Sequence, residues 1–271
     1  MNFLFVFYFI GLLIVVFQDI KRREIDDWLN LFLFFSGIGF LFFSKELVFS
    51  HISIVMFGFF IFIMCLLSLV FYYSRFFSGG DAKLFFAIAP LLYDIMFNEA
   101  LNNIFVFVTC LVLCGSVYSL IYAIFLFFRD FEKIKRIFVA EFRKTYLRVL
   151  SMLGIIFIFM MFVDRIFAFV GLFFLLFVFL MAFAKSLENV SMKKVISAKQ
   201  VREGDWLFYD LKIGGRKFEK DWDGLGEEDV IFIRKFNKKV VVKDGIPYAP
   251  SFLFALILYY FSDYLLGIVF S

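Results

Sequence analysis

Two aspartates stand at the edges of long apolar runs, where few charged residues occur. Asp19 ends the first run, and Asp81 lies within the sequence Ser78–Leu84 between two further runs. Two carboxylates at one depth in a membrane can activate water, because one holds a proton while the other, ionised, polarises the attacking water. This spacing makes Asp19 and Asp81 the candidate catalytic pair.

Each aspartate also has an ordinary structural interpretation. Asp81 precedes an apolar helix and could be its N-cap, and Asp19 could be one more charge in a basic loop. Gly79-Gly80 before Asp81 favours the functional interpretation, because glycine lets a bound extended peptide approach closely. The positive end of the following helix favours ionised Asp81. Asp19, less favoured by a helix terminus, is then favoured as the proton carrier, although the sequence alone does not decide which aspartate holds the proton.

The composition is that of a membrane protein. Of 271 residues, 63% are hydrophobic and 48 are Phe, and runs of about twenty apolar residues recur. We predict an all-α polytopic membrane protein, a bundle of about six to eight transmembrane helices with a small, β-containing cytoplasmic domain. Clustered Lys and Arg indicate topology here, not nucleic-acid binding.

The apolar runs and charged stretches predict five regions. These are a transmembrane catalytic core of five spans (1–128), a basic amphipathic cytoplasmic segment (129–148), a membrane hairpin (149–184), a small soluble cytoplasmic domain (185–246) and a C-terminal transmembrane helix (247–271). The core spans are predicted at about Asn2–Phe17, Trp28–Phe43, Val48–Tyr73, Leu84–Phe97 and Ile104–Phe128. Within the soluble domain, Trp206–Ile213 before Gly214-Gly215 predicts a strand and turn, and Val240–Val242 predicts another strand.

Two of these regions have alternatives. As one helix, Val149–Ala184 would be about 54 Å long, too long for a single crossing. A reversal at Asp164-Arg165 instead returns the soluble domain to the cytoplasm, whereas a single crossing places it outside. The basic segment 129–148 is either a helix lying on an anionic leaflet or a solvated loop that fixes topology.

Charge predicts the orientation of the spans. Positive charge is concentrated in Lys21–Arg23, in Arg75 with Lys83, and in residues 129–148. These segments alternate with loops such as Asp94–Asn103, which contain neither Lys nor Arg. The basic segments are therefore predicted to be cytoplasmic, with the N-terminus outside and with Asp19 and Asp81 together on the cytoplasmic side.

The few potential metal ligands are poorly placed. Cys65, Cys110 and Cys114 all lie inside apolar runs, and His51 is the single histidine. Cys110 and Cys114 share a helix face, but two thiols without acidic or His neighbours make a poor metal site. We predict no metal and no cofactor.

Three sequence motifs resemble those of the type IV prepilin peptidases, whose archaeal branch comprises the preflagellin peptidases. Asp19, followed by Ile25 and the acidic Asp26-Asp27, resembles the family's first aspartate motif. Gly80–Leu84 resembles the second motif, GxGD followed by x-Lys. Ile246–Pro250, before the last span, resembles a third, Ile-Pro-aromatic-x-Pro element.

The resemblance implies a membrane aspartic endopeptidase. It would cleave short basic leader peptides from archaellin or type IV pilin-like precursors at the cytoplasmic membrane face, with these precursors and the lipid bilayer as partners. It implies catalytic Asp19 and Asp81, with substrate-binding or motif support from Gly79, Gly80, Lys83 and Ile25. Ser78 replaces the first glycine of GxGD, and the four-cysteine zinc loop of bacterial members is missing after the first span. That loop accompanies methyltransferase activity, so the resemblance favours the archaeal branch and a peptidase alone.

A second class of function uses the same two residues differently. Asp19 and Asp81 could be ligand or ion sites of a non-enzymatic membrane scaffold or an ion-coupled transporter, because intramembrane carboxylates serve ion pathways. Both aspartates, however, lie at one membrane edge rather than at its middle, and no internal repeat is evident. These observations favour the peptidase.

Overall fold

The computed structural model describes residues 3–43, 51–221, 224–236 and 238–262. The chain divides into two compact units, one formed by Met1–Leu120 with Ile246–Ser271 and the other by Ile121–Gly245. In the described part, five helices are long and apolar enough to cross a membrane: Phe3–Arg22, Ile54–Tyr73, Phe97–Arg129, Thr145–Phe162 and Arg165–Ser191. Asp27–Phe43 and Ala249–Tyr260 are shorter apolar helices. The predicted polytopic helical membrane fold is confirmed.

The first unit is a helical bundle. Its helices are α1 (Phe3–Arg22), α2 (Asp27–Phe43), α3 (His51–Tyr73), α4 (Gly79–Ala87), α5 (Ala89–Leu92), the first part of α6 (Phe97–Arg129) and α11 (Ala249–Tyr260). Tyr8, Leu12 and Val15 are fully buried at the spacing of one helical face of α1. Large apolar side chains on outer faces, such as Phe105, are exposed, as expected where lipid replaces water.

The fourth predicted span is interrupted at its proline. Its first helix, α4, begins at Gly79 rather than at the predicted Leu84, and α5 begins next to Pro90, which cannot donate a backbone hydrogen bond. The Tyr8 hydroxyl lies 3.1 Å from the Ala87 carbonyl oxygen and offers it a donor. Gly37 leaves the space that this hydroxyl needs, because a Cβ at Gly37 would collide with it.

Several other predicted boundaries also shift. Helix α1 continues past Phe17 to Arg22, so Asp19 lies inside the helix and not beyond its end. Residues 44–50, which include the predicted start of the third span, and residues 263–271 of the last span lie outside the described residues.

The second unit contains an antiparallel pair of long helices. Helix α8 (Thr145–Phe159) is followed by a 3-10 turn, Met160–Phe162, and α9 (Arg165–Ser191) runs back along it. Asp164 is the N-cap of α9, and its side chain accepts a hydrogen bond of 3.0 Å from the Ile166 amide. Gly154 and Gly171 let the two backbones approach closely, since a Cβ at Gly171 would lie 2.5 Å from the Gly154 carbonyl oxygen.

The helix α7 (Phe131–Phe142) connects α6 to α8 and packs against α9. Ile134 is fully buried in a cluster with Leu126 and Leu187. The Phe138 ring lies 5.4 Å from that of Phe179 on α9. One face of α7 is therefore fixed against α9.

A small mixed subdomain follows α9. Strands β1 (Lys193–Ser197), β5 (Lys239–Lys243) and β2 (Trp206–Leu207) form an antiparallel sheet in the order β1-β5-β2, and β3 (Leu211–Ile213) and β4 (Arg216–Phe218) form a hairpin beside α10 (Glu227–Arg234). The predicted single strand Trp206–Ile213 is therefore wrong: its two ends pair with different partners. Gly214 and Gly215 have positive φ and form the hairpin turn.

Candidate active site

Asp19 is buried near the end of α1 and contacts the start of α11. Its side chain is only 8% exposed, although the residue lies beside a basic loop. Its Oδ2 accepts a hydrogen bond of 2.9 Å from the backbone amide of Ala249, the first residue of α11. This amide is one of the donors that a helix N-terminus leaves without an intrahelical partner. The first motif, which contains Asp19, and the third motif, Ile246–Pro250, thus meet at this carboxylate although they lie at opposite ends of the chain.

Asp81 is buried in the first turn of α4. The structural interpretation, in which Asp81 is the N-cap of this helix, is wrong. Ser78 is the N-cap, and Asp81 occupies the third helical position of a capping box. The Ser78 hydroxyl donates to Asp81 Oδ2 at 2.7 Å, and the Ser78 amide lies 3.3 Å from the same oxygen. The serine that replaces glycine in the second motif therefore holds the aspartate directly.

The start of α11 joins the surroundings of the two carboxylates. Asp19 accepts from the Ala249 amide, and the ring of the preceding residue, Tyr248, lies 5.9 Å from that of Phe77, next to the serine that bonds Asp81. Both aspartates are 8% exposed, so little water screens their mutual repulsion. Two like charges in such surroundings are accommodated best when the pair shares one proton. The arrangement can therefore supply an acid and a base at one place.

Both aspartates face the N-terminus of a helix. Asp81 lies in the first turn of α4, and Asp19 accepts from the first residue of α11. The sequence-based expectation that Asp19 is less favoured by a helix terminus is therefore wrong, because the terminus that it faces belongs to a helix 230 residues away.

Tyr248 lies between the two helix starts and was not predicted as a site residue. Its ring centroid is 5.9 Å from that of Phe77, the residue before the N-cap of α4, and 6.1 Å from that of Phe252 on α11. Its hydroxyl lies against Gly115 of α6, where an added Cβ would collide with it. The third motif, Ile246–Pro250, was the signal that could have identified it.

The predicted support residues lie at the same end of the bundle. Ile25 packs against Gly80, where a Cβ would lie 3.7 Å from its side chain, and a Cβ at Gly79 would lie 3.8 Å from Tyr72. Lys83 forms an exposed ion pair of 2.7 Å with Asp27 at the start of α2. None of these contacts tests a role in substrate binding, which stays a prediction.

The loop after Asp19 is held by a second acidic residue. Asp26 Oδ2 accepts hydrogen bonds from Arg22 at 2.8 Å, Gln18 at 3.0 Å and Trp28 at 3.2 Å. The Arg22 hydrogen bond is the main reason why the pKa of the Asp26 carboxyl lies below its usual value. Asp26 is thus a structural anion of the loop that joins α1 to α2.

Comparison with known sequences agrees with the motifs. Residues 6–130, which include α1 to α6 and both aspartates, match the model of the type IV leader peptidase family. This part of the chain is similar to the type IV leader peptidases. No curated protein and no solved structure matches the chain significantly.

The chain is thus a multi-pass membrane protein, and the family that residues 6–130 match acts on pilin-like precursors. The family match favours the peptidase over the scaffold or transporter. Across the described ranges, no three residues among His, Cys, Asp and Glu cluster as a metal site would require. Cys110 is buried and Cys114 is partly buried, each within α6.

Proposed function

We propose that this protein is an aspartic endopeptidase of the GxGD type and that Asp19 and Asp81 are its catalytic residues. The observation that carries the proposal is that two buried carboxylates, from α1 and α4, are linked through the start of α11: Asp19 accepts from Ala249, and the Tyr248 ring packs against Phe77 beside the N-cap that holds Asp81. The ionised member polarises the attacking water and takes its proton, and the protonated member donates to the scissile carbonyl oxygen. Each carboxylate is held by a hydrogen bond from the protein, Asp19 by Ala249 and Asp81 by Ser78.

The substrates are archaellin or type IV pilin-like precursors with short basic leader peptides. An extended leader is required, because the carbonyl and amide groups of a helical peptide are shielded and hydrogen-bonded to each other. Because Gly79 and Gly80 carry no side chain, an extended peptide could approach the backbone at the start of α4, where Tyr72 and Ile25 border the two glycines. The hydrophobic helix of the precursor would lie among the spans.

Cleavage takes place at the cytoplasmic face. Asp19 shares its end of α1 with Lys21 and Arg22, in the last turn of the helix, and Lys83 lies on α4 near Asp81. Basic residues that flank membrane spans are retained on the cytoplasmic side. The motif resemblance supports an assignment to the archaeal branch, that of the preflagellin peptidases.

The test is coexpression of the peptidase with an archaellin precursor and with a pilin-like precursor, each read by gel shift and N-terminal sequencing. Asp19→Asn and Asp81→Asn should each reduce leader removal by roughly a thousandfold. Asp94→Asn is the matched control: this partly exposed aspartate caps the Met96 amide at 2.8 Å and should leave the rate unchanged. Normal cleavage by either active-site variant would disprove the catalytic pair. If the wild type removes neither leader, the substrate assignment fails instead.

A further inference from the structure

The outer face of α7 carries cations that the protein itself does not neutralise. Lys135, Arg136 and Arg143 are exposed, and in the part of the chain that the structure describes no carboxylate forms an ion pair with them. Other cations nearby are paired, since Lys133 lies 3.8 Å from Asp130 and Lys144 lies 2.7 Å from the buried Glu141.

The unpaired cations line one groove. A cavity of about 440 Å³ lies along this face and is lined by Glu132, Lys135, Arg136, Val139, Ala140 and Arg143. These residues recur at the three- and four-residue spacing of a single helical face. Three cations against the one carboxylate of Glu132 leave the groove with a net positive charge. Its chemistry suits a phosphate-bearing anion.

The position of α7 in the chain selects the source of that anion. Asp130 alone separates α7 from α6, and only Arg143 and Lys144 separate it from α8. Both neighbouring helices are candidate membrane spans, so these short links hold α7 at the bilayer surface. A soluble anion would have to compete there with lipid headgroups at far higher local concentration.

The rotation of α7 about its axis is also fixed. Ile134 and Phe138 lie on the face of α7 opposite the groove and pack against other helices of the second unit. The groove therefore cannot turn inward. Exposed Phe131, Val139 and Phe142 accompany the cations, which is the pattern of a helix at the boundary between headgroups and acyl chains.

We propose that the groove formed by Lys135, Arg136 and Arg143 binds the phosphate headgroup of an anionic lipid. The guanidinium groups of Arg136 and Arg143 would donate to phosphate oxygens, and the Lys135 ammonium would add a third charge. The exposed apolar side chains would lie against the upper acyl chain. The site does not depend on the identity of the peptidase substrate or on the catalytic pair.

The experiment titrates phosphatidylglycerol into the purified full-length protein in nonionic detergent and counts bound lipid by native mass spectrometry. Replacing all three cations by Gln (K135Q/R136Q/R143Q) should weaken binding on the order of a hundredfold, because each surface cation contributes about fivefold. The matched control, K199Q/K212Q/K238Q, removes the same charge from exposed lysines of the subdomain and should change binding by less than about threefold. Phosphatidylcholine should bind weakly to all three proteins.

Specific outcomes would overturn the proposal. Equal losses in the two triple variants would show general charge attraction rather than a site. Displacement of the lipid by millimolar inorganic phosphate would show a site for free anions. If the first triple variant lacks a cooperative thermal transition, the single variants Lys135→Gln and Arg136→Gln replace it, each with an expected loss of about fivefold. Unchanged binding in both single variants would also contradict the site.

Discussion

The backbone amide of Ala249 donates a hydrogen bond of 2.9 Å to the carboxylate of Asp19, 230 positions earlier in the chain. Pro250, the next residue, has no amide hydrogen and is suited to the first turn of a helix. The first turn of α11 therefore presents the Ala249 amide to Asp19. The last helix is part of the proposed active site, although the family match ends at residue 130.

Replacing Tyr248 by Phe should change the rate of leader removal by less than about threefold, because the hydroxyl that is lost lies against Gly115 of α6 and not against a carboxylate. The ring would keep its contacts with Phe77 and Phe252, so the amount of folded protein should not change. Initial rates in membranes, normalised to enzyme, measure the effect. A loss of more than about tenfold would show that the hydroxyl acts at the carboxylates.

Substitution of Gly115 by Ala tests the packing behind Tyr248. A Cβ at this position of α6 would collide with the Tyr248 hydroxyl, so we expect a loss of about 1–3 kcal/mol in stability and a lower rate. Gly58→Ala on α3 is the control, since no atom lies within 4 Å of its added Cβ. Thermal unfolding in detergent compares the two variants. Equal transition temperatures would show that Tyr248 moves aside without cost.

Loss of the Ser78 hydroxyl should weaken both the helix start and the position of Asp81. Ser78→Ala removes the N-cap side chain and the 2.7 Å hydrogen bond to the carboxylate. The loss of the cap should lower the free energy of unfolding by about 1 kcal/mol. Ser78→Thr retains a hydroxyl and should restore most of the leader removal. Ser74→Ala, whose exposed hydroxyl bonds only the Phe71 carbonyl at 3.1 Å, should stay within about 0.5 kcal/mol of the wild type. Full activity in Ser78→Ala would show that the hydroxyl does not position Asp81.

The reversal between α8 and α9 predicts that the mixed subdomain lies in the cytoplasm. With Cys65, Cys110 and Cys114 replaced, a cysteine at the exposed position Lys199 should resist an impermeant maleimide in intact cells and react after lysis. A cysteine at exposed Asn98, at the start of α6, should react in intact cells and serves as the opposite control. Labelling of Lys199→Cys in intact cells would contradict the predicted membrane hairpin and the cytoplasmic location of the subdomain.

Much of the fold follows from local sequence. In the described residues the long apolar runs form helices, interrupted only where Pro90 and Asp164 break them, because a backbone in lipid must satisfy its own hydrogen bonds. The reversal at Asp164 could also be predicted, since a polar pair in the middle of an overlong apolar run matches an N-cap after a turn. Asp19 and Asp81 were identifiable as site candidates because isolated carboxylates at the edges of apolar runs are costly to retain without a function.

The remainder depended on contacts between distant segments. The strand predicted over Trp206–Ile213 is split because β2 pairs with β5, whereas β3 pairs with β4, and no local pattern encodes that choice. Asp19 is stabilised by a helix start that only the packing of α11 against α1 brings to it. Residue types and spacing determined which side chains could do chemistry. Only the tertiary structure decided which donors and rings surround them, because hydrogen bonds and packing depend on distance in space and not along the chain.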